Sequence, residues 1–464
     1  MTPCRCLAFV WRHHSRLIFF QCFSRSRFIF AYSDHFKWPG LIKRLSALQD
    51  LPVKRRDTWA GRTGPDVAGV HELFYPLLFF LLAVGHASGK LYIRGFIVLF
   101  SSVVIVMLVT SFLTLFAVLT LALCKDLVVP HTDPLIYYHG RWDKAPATWW
   151  AGSGFKISVL NLKSLALNIG PNTTWPSAAV GVSINGAPFF TINATQGENV
   201  IPLPNAGALR TNVRFNVEGW QNNRINLQSL KLNGDAKLLP YVPAKRSFQF
   251  IGDSLSAGQF LPLGVNQAWP FLVGEHYKAE HRINAQPGAT LTDMESYGNV
   301  HGVSYQFFKT EDTGYIWSWD HNYTTPWDFK RDQPPATHIV IHIGANDASH
   351  GVPPEDFTKV YLDFIAKIRK INSLAPIFIL TPWGWPNADG NVYYYYDGVY
   401  KDIVAQRRAL RDRNIYLVDT TGWVTWDDVF PDNVHPNVPG HQNIASKFVK
   451  WLDNWSAGSP IAFP

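Results

Sequence analysis

Phe248-Gln-Phe-Ile-Gly-Asp-Ser-Leu-Ser-Ala-Gly258 decides how this chain reads. Bulky apolar residues (Phe248, Phe250, Ile251) run straight into Gly-Asp-Ser, the pattern of a buried strand ending in a tight turn that presents Ser254. Working outward, apolar runs at 338–343, 376–381 and 415–418 read as further strands. Between them, 354–372 reads as a helix: Phe357, Val360, Tyr361, Phe364, Ile365, Ile368 and Ile371 step by three and one, Pro353-Pro354 opens it, and Asn372 to Pro376 closes it. Residues 396–412 and 439–453 read as helices too. Strands alternating with helices imply a mainly parallel sheet covered on both faces, an α/β fold whose ligands sit at the carboxyl ends of strands. Ser254 and Asn346 both follow strand ends, so they could meet there.

Two other short blocks give Ser254 chemical company: Gly344-Ala-Asn-Asp347 and Asp432-Asn-Val-His435. A serine hydroxyl is protonated at neutral pH and needs a base to become a nucleophile. His435 is the candidate to take that proton and return it, and Asp432 the candidate to hold the imidazole in the useful tautomer. Charge developing on a carbonyl oxygen needs donors, for which the candidates are the backbone N–H of Ser254, the N–H of Gly288 in Asn284-Ala-Gln-Pro-Gly288, and the side-chain amide of Asn346. Taken singly, each has a plainer reading: a turn serine, a polar loop, an ordinary turn glycine. Trp383, Trp385, Trp423 and Trp426 lie near the expected carboxyl edge and are candidate sugar-stacking faces, with packing between domains as the alternative. His342 reads as a strand residue rather than a ligand. No spaced His/Asp/Glu set suggests a metal, and no cofactor is implied.

Residues 134–240 read differently. Short alternating runs recur, and Asn185-Gly186 and Asn233-Gly234 are hairpin signals, so an all-β sandwich is expected. The reading divides the chain into a basic N-terminal region (1–94), an apolar stretch (95–124), a β-sandwich (130–242) and an α/β domain (246–456). The net charge of +8 is misleading, because residues 1–124 hold 14 Lys and Arg against 5 Asp and Glu, leaving 28 against 29 in 125–464. That balance offers nothing to nucleic acid. All four cysteines lie at or before Cys124, so residues 125–464 can hold neither a disulfide nor a thiolate metal site.

Residues 95–124 carry no charge and exceed the roughly 20 needed to span a bilayer. Twelve Lys and Arg precede residue 73, which would place the C-terminal mass outside the cytosol as a single-pass type II membrane protein. Alternatively, translation from Met107 would begin with a signal peptide and give a secreted product, residues 1–106 then being a gene-model extension or a disordered region. Either reading exports residues 125–464. Asn172, Asn193, Asn322 and Asn454 begin glycosylation sequons, in keeping with export.

The Ser254, Gly288, Asn346 and His435 blocks together resemble the SGNH (GDSL-type) hydrolase superfamily, with Asp432 at the position of the aspartate partner. The resemblance implies a flavodoxin-like α/β/α domain and ester hydrolysis through an acyl-serine, without metal. His139-Gly-Arg-Trp-Asp143 and Trp150-Ala-Gly-Ser-Gly-Phe155, upstream in a jelly-roll-like region, make the chain similar to carbohydrate esterase family 2. That implies an acetylated carbohydrate as the substrate partner. In some members of that family another group supports the histidine, so the role of Asp432 is less firmly implied. A lipase or general short-chain carboxylesterase, and a non-catalytic carbohydrate-binding protein on the same fold, are the rival readings. Oligomeric state is left open.

Overall fold

The computed structural model describes residues 11–13, 16–18, 104, 106–111, 125–204, 208–219, 223–311 and 324–458. The chain divides into two compact units, Met1–Val98 and Leu99–Pro464. In the first, Trp11–His13 and Arg16–Ile18 pair as an antiparallel hairpin. The apolar stretch 95–124 lies outside the described residues except for Val104 and residues 106–111, which are helical. Among the described residues no helix is long and apolar enough to cross a membrane.

In the second unit, two antiparallel sheets share one apolar core. One runs Gly197–Val200, Leu165–Ile169, Ile225–Leu232, Leu127–Pro130; the other runs Lys237–Leu239, Gly154–Leu160, Arg210–Val217, Ala178–Ile184, Phe190–Ala194. Asn185 and Gly186, at φ 53° and 77°, turn the hairpin between Ala178–Ile184 and Phe190–Ala194. Asn233-Gly234 does not make a hairpin, contrary to its dipeptide signal. The strands on either side of it belong to different sheets. The Asn233 side chain is committed elsewhere, accepting from the N–H groups of Lys163 and Ser164 and donating to the carbonyl of Asn161.

The α/β part has five parallel strands: β1 (Ser247–Asp253), β2 (Glu280–Gln286), β3 (His338–His342), β4 (Ile377–Leu380) and β5 (Ile415–Val418), in the spatial order β2-β1-β3-β4-β5. The four main helices are α1 (Trp269–His276), α2 (Pro354–Ile371), α3 (Val399–Ala409) and α4 (Val438–Gly458). Strand alternation sorts side chains by face. Phe248, Phe250, Val340, Phe378 and Val418 pack against Trp269 and Phe271 of α1 and Ile444 and Phe448 of α4. Ile251, Ile339, Ile341, Ile377 and Ile379 pack against Phe357, Tyr361 and Phe364 of α2 and Tyr400 and Ile403 of α3. This is the flavodoxin-like order, in which the order of strand addition reverses at β1/β3 and opens a crevice beyond the strand ends.

β2 has no apolar pattern, and a hydrophobicity reading passes over it. Every residue of Glu280-His-Arg-Ile-Asn-Ala-Gln286 is nevertheless buried. Its charged groups are met by partners, Lys156 of the sandwich among them. Glu280 pairs with Lys156 at 2.6 Å, His281 with Glu275 at 2.8 Å, and Arg282 donates to Ser247 Oγ at 3.1 Å and to the Pro334 carbonyl at 2.8 Å. The His139–Asp143 motif lies on the same seam. The buried Arg141 guanidinium sits over the rings of Trp150, Phe307, Trp327 and Phe329 and donates to the Lys309 carbonyl at 2.6 Å. The motif thus holds sandwich to hydrolase part through cation–π contacts.

Candidate active site

Three loops leave the sheet side by side at the β1/β3 switch. The register pairs Asp253 with Gln286 and Gly252 with His342, so Ser254, Gly288 and Gly344 all emerge at the same edge. Asp253 caps the helical turn Ser254–Ala257 by accepting from the Leu255 N–H at 3.0 Å, which fixes the attitude of Ser254. Burial pushes the Asp253 carboxyl up to about 7, against the Leu255 hydrogen bond and helped by the nearby charge of Asp347.

Ser254 Oγ lies 2.9 Å from His435 Nε2, and His435 Nδ1 lies 2.6 Å from Asp432 Oδ2. The Asp432–His435 turn is self-clamped: Asp432 Oδ1 accepts from the N–H groups of Val434 and His435, each at 3.0 Å. Partial burial alone would raise the Asp432 carboxyl; the His435 and Val434 N–H groups and then the imidazole hold it below the usual carboxylate range. The Phe430 N–H bonds the His435 carbonyl at 2.8 Å, closing the loop before α4.

On the opposite side, Asn346 Nδ2 donates to the Ala289 carbonyl at 2.9 Å, leaving its second N–H for another acceptor. Gly288 has φ +76°, which favours glycine, and a Cβ there would come within 2.7 Å of Tyr297 Cβ. Asp347 ties this loop to the Asn346 turn by accepting from Leu291 N–H at 2.7 Å and Thr292 N–H at 2.9 Å. Gly344, at φ +130°, is equally constrained: a Cβ would lie 2.3 Å from the Tyr400 hydroxyl.

The four tryptophans do not behave as a group. Trp383 is 1% exposed, lying flat on His342 with centroids 3.7 Å apart and edge-on to Trp269. It is a core residue, and the expectation of a sugar-stacking face is corrected there, because both of its faces are shielded from solvent. Trp385 is half-buried and stacks on Tyr393, while Trp423 is half-buried against the core of the α1/α4 face. Trp426 is the one of the four left exposed. An aromatic that sequence reasoning missed stands beside the base instead. The ring of Phe260 is 5.1 Å from that of His435, at 79°. Its only sequence signal is an aromatic set between Gly258 and Pro262, in a stretch otherwise suited to turns.

Asn172, Asn193 and Asn454 are exposed, as glycosylation requires; Asn322 lies outside the described residues.

Residues 250–442 match the model of the GDSL-like Lipase/Acylhydrolase family. The α/β part thus joins a GDSL-type acylhydrolase match to the strand order of an SGNH-type hydrolase fold, and the match supports a carboxylic ester hydrolase, an esterase. Among solved structures, the chain is similar to a family two carbohydrate esterase from Cellvibrio japonicus, at 17% identity and a TM-score of 0.58, over 71% of this chain and 98% of that one. It is also similar to an acetyl xylan esterase (Est2A) from the rumen bacterium Butyrivibrio proteoclasticus, at 17% identity and a TM-score of 0.57, over 71% and 98%. A third is the salicylyl-acyltransferase SsfX3 from a tetracycline biosynthetic pathway, at 16% identity and a TM-score of 0.54, over 73% and 99%. At these identities the likeness is one of fold, and it spans both the sandwich and the hydrolase part. No curated protein sequence matches the chain.

Proposed function

We propose that the protein is an exported serine esterase that removes acetyl groups from a polysaccharide or oligosaccharide. The observation that carries this reading is the continuous hydrogen-bonded chain from Ser254 through His435 to Asp432, set at the switch-point crevice. In the first step His435 Nε2 takes the Ser254 proton as Oγ bonds to the acetyl carbonyl carbon. The carbonyl oxygen gains charge, which the N–H groups of Ser254 and Gly288 and the free N–H of Asn346 hold. As the C–O bond to the sugar breaks, His435 gives the proton to the departing sugar oxygen. Water then attacks the acetyl-serine with His435 again as base, releasing acetate and restoring the Ser254 hydroxyl. Asp432 keeps Nδ1 protonated and offsets the transient imidazolium.

The carbohydrate substrate is supported by the family two carbohydrate esterases and the acetyl xylan esterase that share both parts of the fold. Export is supported by the sequons, three of which present exposed asparagines. The division into a sandwich and a hydrolase domain is supported by their separate cores. Acetate release from acetylated xylan, glucomannan and chitin oligomers, compared with a long-chain ester, tests the reading. Wild type should release acetate and Ser254→Ala should not; equal release by the mutant, or preference for the long chain, would overturn it.

A separate outcome concerns stability. Because folding raises the Asp253 pKa to about 7, the native state binds more protons than the unfolded state between pH ~4 and ~7, so this group's contribution falls as pH rises through that window. Asp253→Asn retains a capping oxygen and removes the buried charge. Its melting temperature relative to wild type should therefore climb from pH 5 to pH 8. A difference that stays flat with pH would show that Asp253 is ionised at little cost.

A further inference from the structure

From the loop that follows the nucleophile we infer that Phe260 is the platform for the leaving alcohol and selects one with a flat apolar face, such as a pyranose ring. The inference rests on the esterase reading above. Phe260 is 53% exposed, and its backbone sits at φ +68°, a region that a bulky L-residue rarely adopts. Among the described residues, the ring meets only Phe430 and His435 in T-shaped contacts and leaves half its surface to solvent, so burial offsets little of that strain, and strain of this kind concentrates at functional sites.

The reaction assigns the position its role. The group that leaves must bring its oxygen within hydrogen-bond reach of His435 Nε2 to receive the proton. The carbon frame of the alcohol therefore lies beside the imidazole, where the edge-on Phe260 ring is 5.1 Å away. The acyl oxygen points the other way, toward Gly288 and Asn346. There a second exposed aromatic, Tyr297, also in the left-handed region at φ +45°, stands against Gly288. The two rings thus border different halves of the ester, Phe260 the alcohol and Tyr297 the acyl group.

The Phe260 loop is held from outside the α/β part. The Leu261 N–H bonds the Gly258 carbonyl at 3.2 Å and Leu261 is buried. Further along, the Val265 N–H bonds the Glu218 carbonyl at 3.0 Å, while Asn266 accepts from Asn216 at 2.7 Å and donates to Glu218 at 3.1 Å. Asn216 and Glu218 belong to the sandwich side, so the sandwich sets the height of the loop that carries the platform.

The test compares kcat/KM for a monoacetylated methyl xylopyranoside with that for ethyl acetate, whose alcohol has no ring to stack. Phe260→Ala should lower the sugar-to-ethyl ratio about tenfold, the effect of withdrawing roughly 55 Å2 of apolar contact from the transition state, and should do so mainly through KM. Phe260→Tyr should restore the ratio to within about threefold. Phe260→Leu, which keeps bulk without a flat face, should behave like alanine and serves if the alanine variant does not fold. A ratio unmoved by alanine and leucine, or an equal fall on both esters, would overturn the inference and reduce Phe260 to a buttress for His435. A wild type that cleaves neither ester would instead remove the esterase reading itself.

Discussion

His435→Ala is expected to lower kcat on an acetylated xylo-oligosaccharide by about 10^4- to 10^6-fold, leaving only what oxyanion donors and binding supply. The reason is geometric. His435 Nε2 is the hydrogen-bond partner of Ser254 Oγ at 2.9 Å, and the other described histidines close to the site are committed or shut away. His441 uses Nδ1 to accept from the Trp269 N–H, and burial, aided by His435, lowers it to about 3; His342 is buried under Trp383 and lowered likewise. Because nucleophile and base act as a unit, the Ser254→Ala/His435→Ala double variant should be no slower than the worse single one. Asp432→Asn should cost less, on the order of 10^2- to 10^4-fold. The Asp432 side chain is 36% exposed, and water can supply part of what its carboxylate provides. Steady-state kinetics on all four variants check this. More than a hundredth of wild-type activity in His435→Ala would mean that another base serves Ser254.

The second large effect is on stability. Glu280→Gln should destabilise the fold by about 3–5 kcal/mol, because it strands the Lys156 ammonium, whose side chain is 9% exposed. Burial, then the nearby Arg214, lowers Lys156 to about 8 even with Glu280 opposing the shift. Below its unfolded value near 10.5, a depressed lysine makes the native state bind fewer protons than the unfolded one, so stability rises with pH through that window. Removing the carboxylate lowers the lysine further, and the deficit of Glu280→Gln relative to wild type should narrow between pH 7 and pH 9. Replacing the pair together, as Lys156→Met/Glu280→Leu, should recover most of the loss. Urea unfolding at three pH values distinguishes these outcomes; a Gln variant as stable as wild type would show that the pair contributes nothing.

Legibility in the sequence followed the physics of each element. β1, β3, β4 and β5 are central or well-covered strands whose Phe, Ile, Val and Leu side chains fill the two faces of the sheet, so their composition gives them away. β2 meets the sandwich, and its burial is sustained by Lys156, Asp332 and Ser247, partners that no local window contains. Ser254, Asp432 and His435 were legible as a set because proton transfer dictates residue types, and the structure draws them together across most of the α/β part. The tryptophans were not, since a flat apolar ring serves a core and a sugar site equally well. Only the fold could separate Trp383, sealed under His342, from Phe260, lifted beside the base.

The contact of Glu218 and Asn216 with Val265 and Asn266 also bears on how such a protein can be recombined. A chimera that took its hydrolase half from this chain and its sandwich from another would keep the reacting residues but lose the grip on the loop beside them. Grafted without those two residues, it should hydrolyse esters yet choose among them differently. If Phe260 selects the alcohol, the seam is a heritable dial on that choice, set by residues outside the Ser254–His435–Asp432 chain.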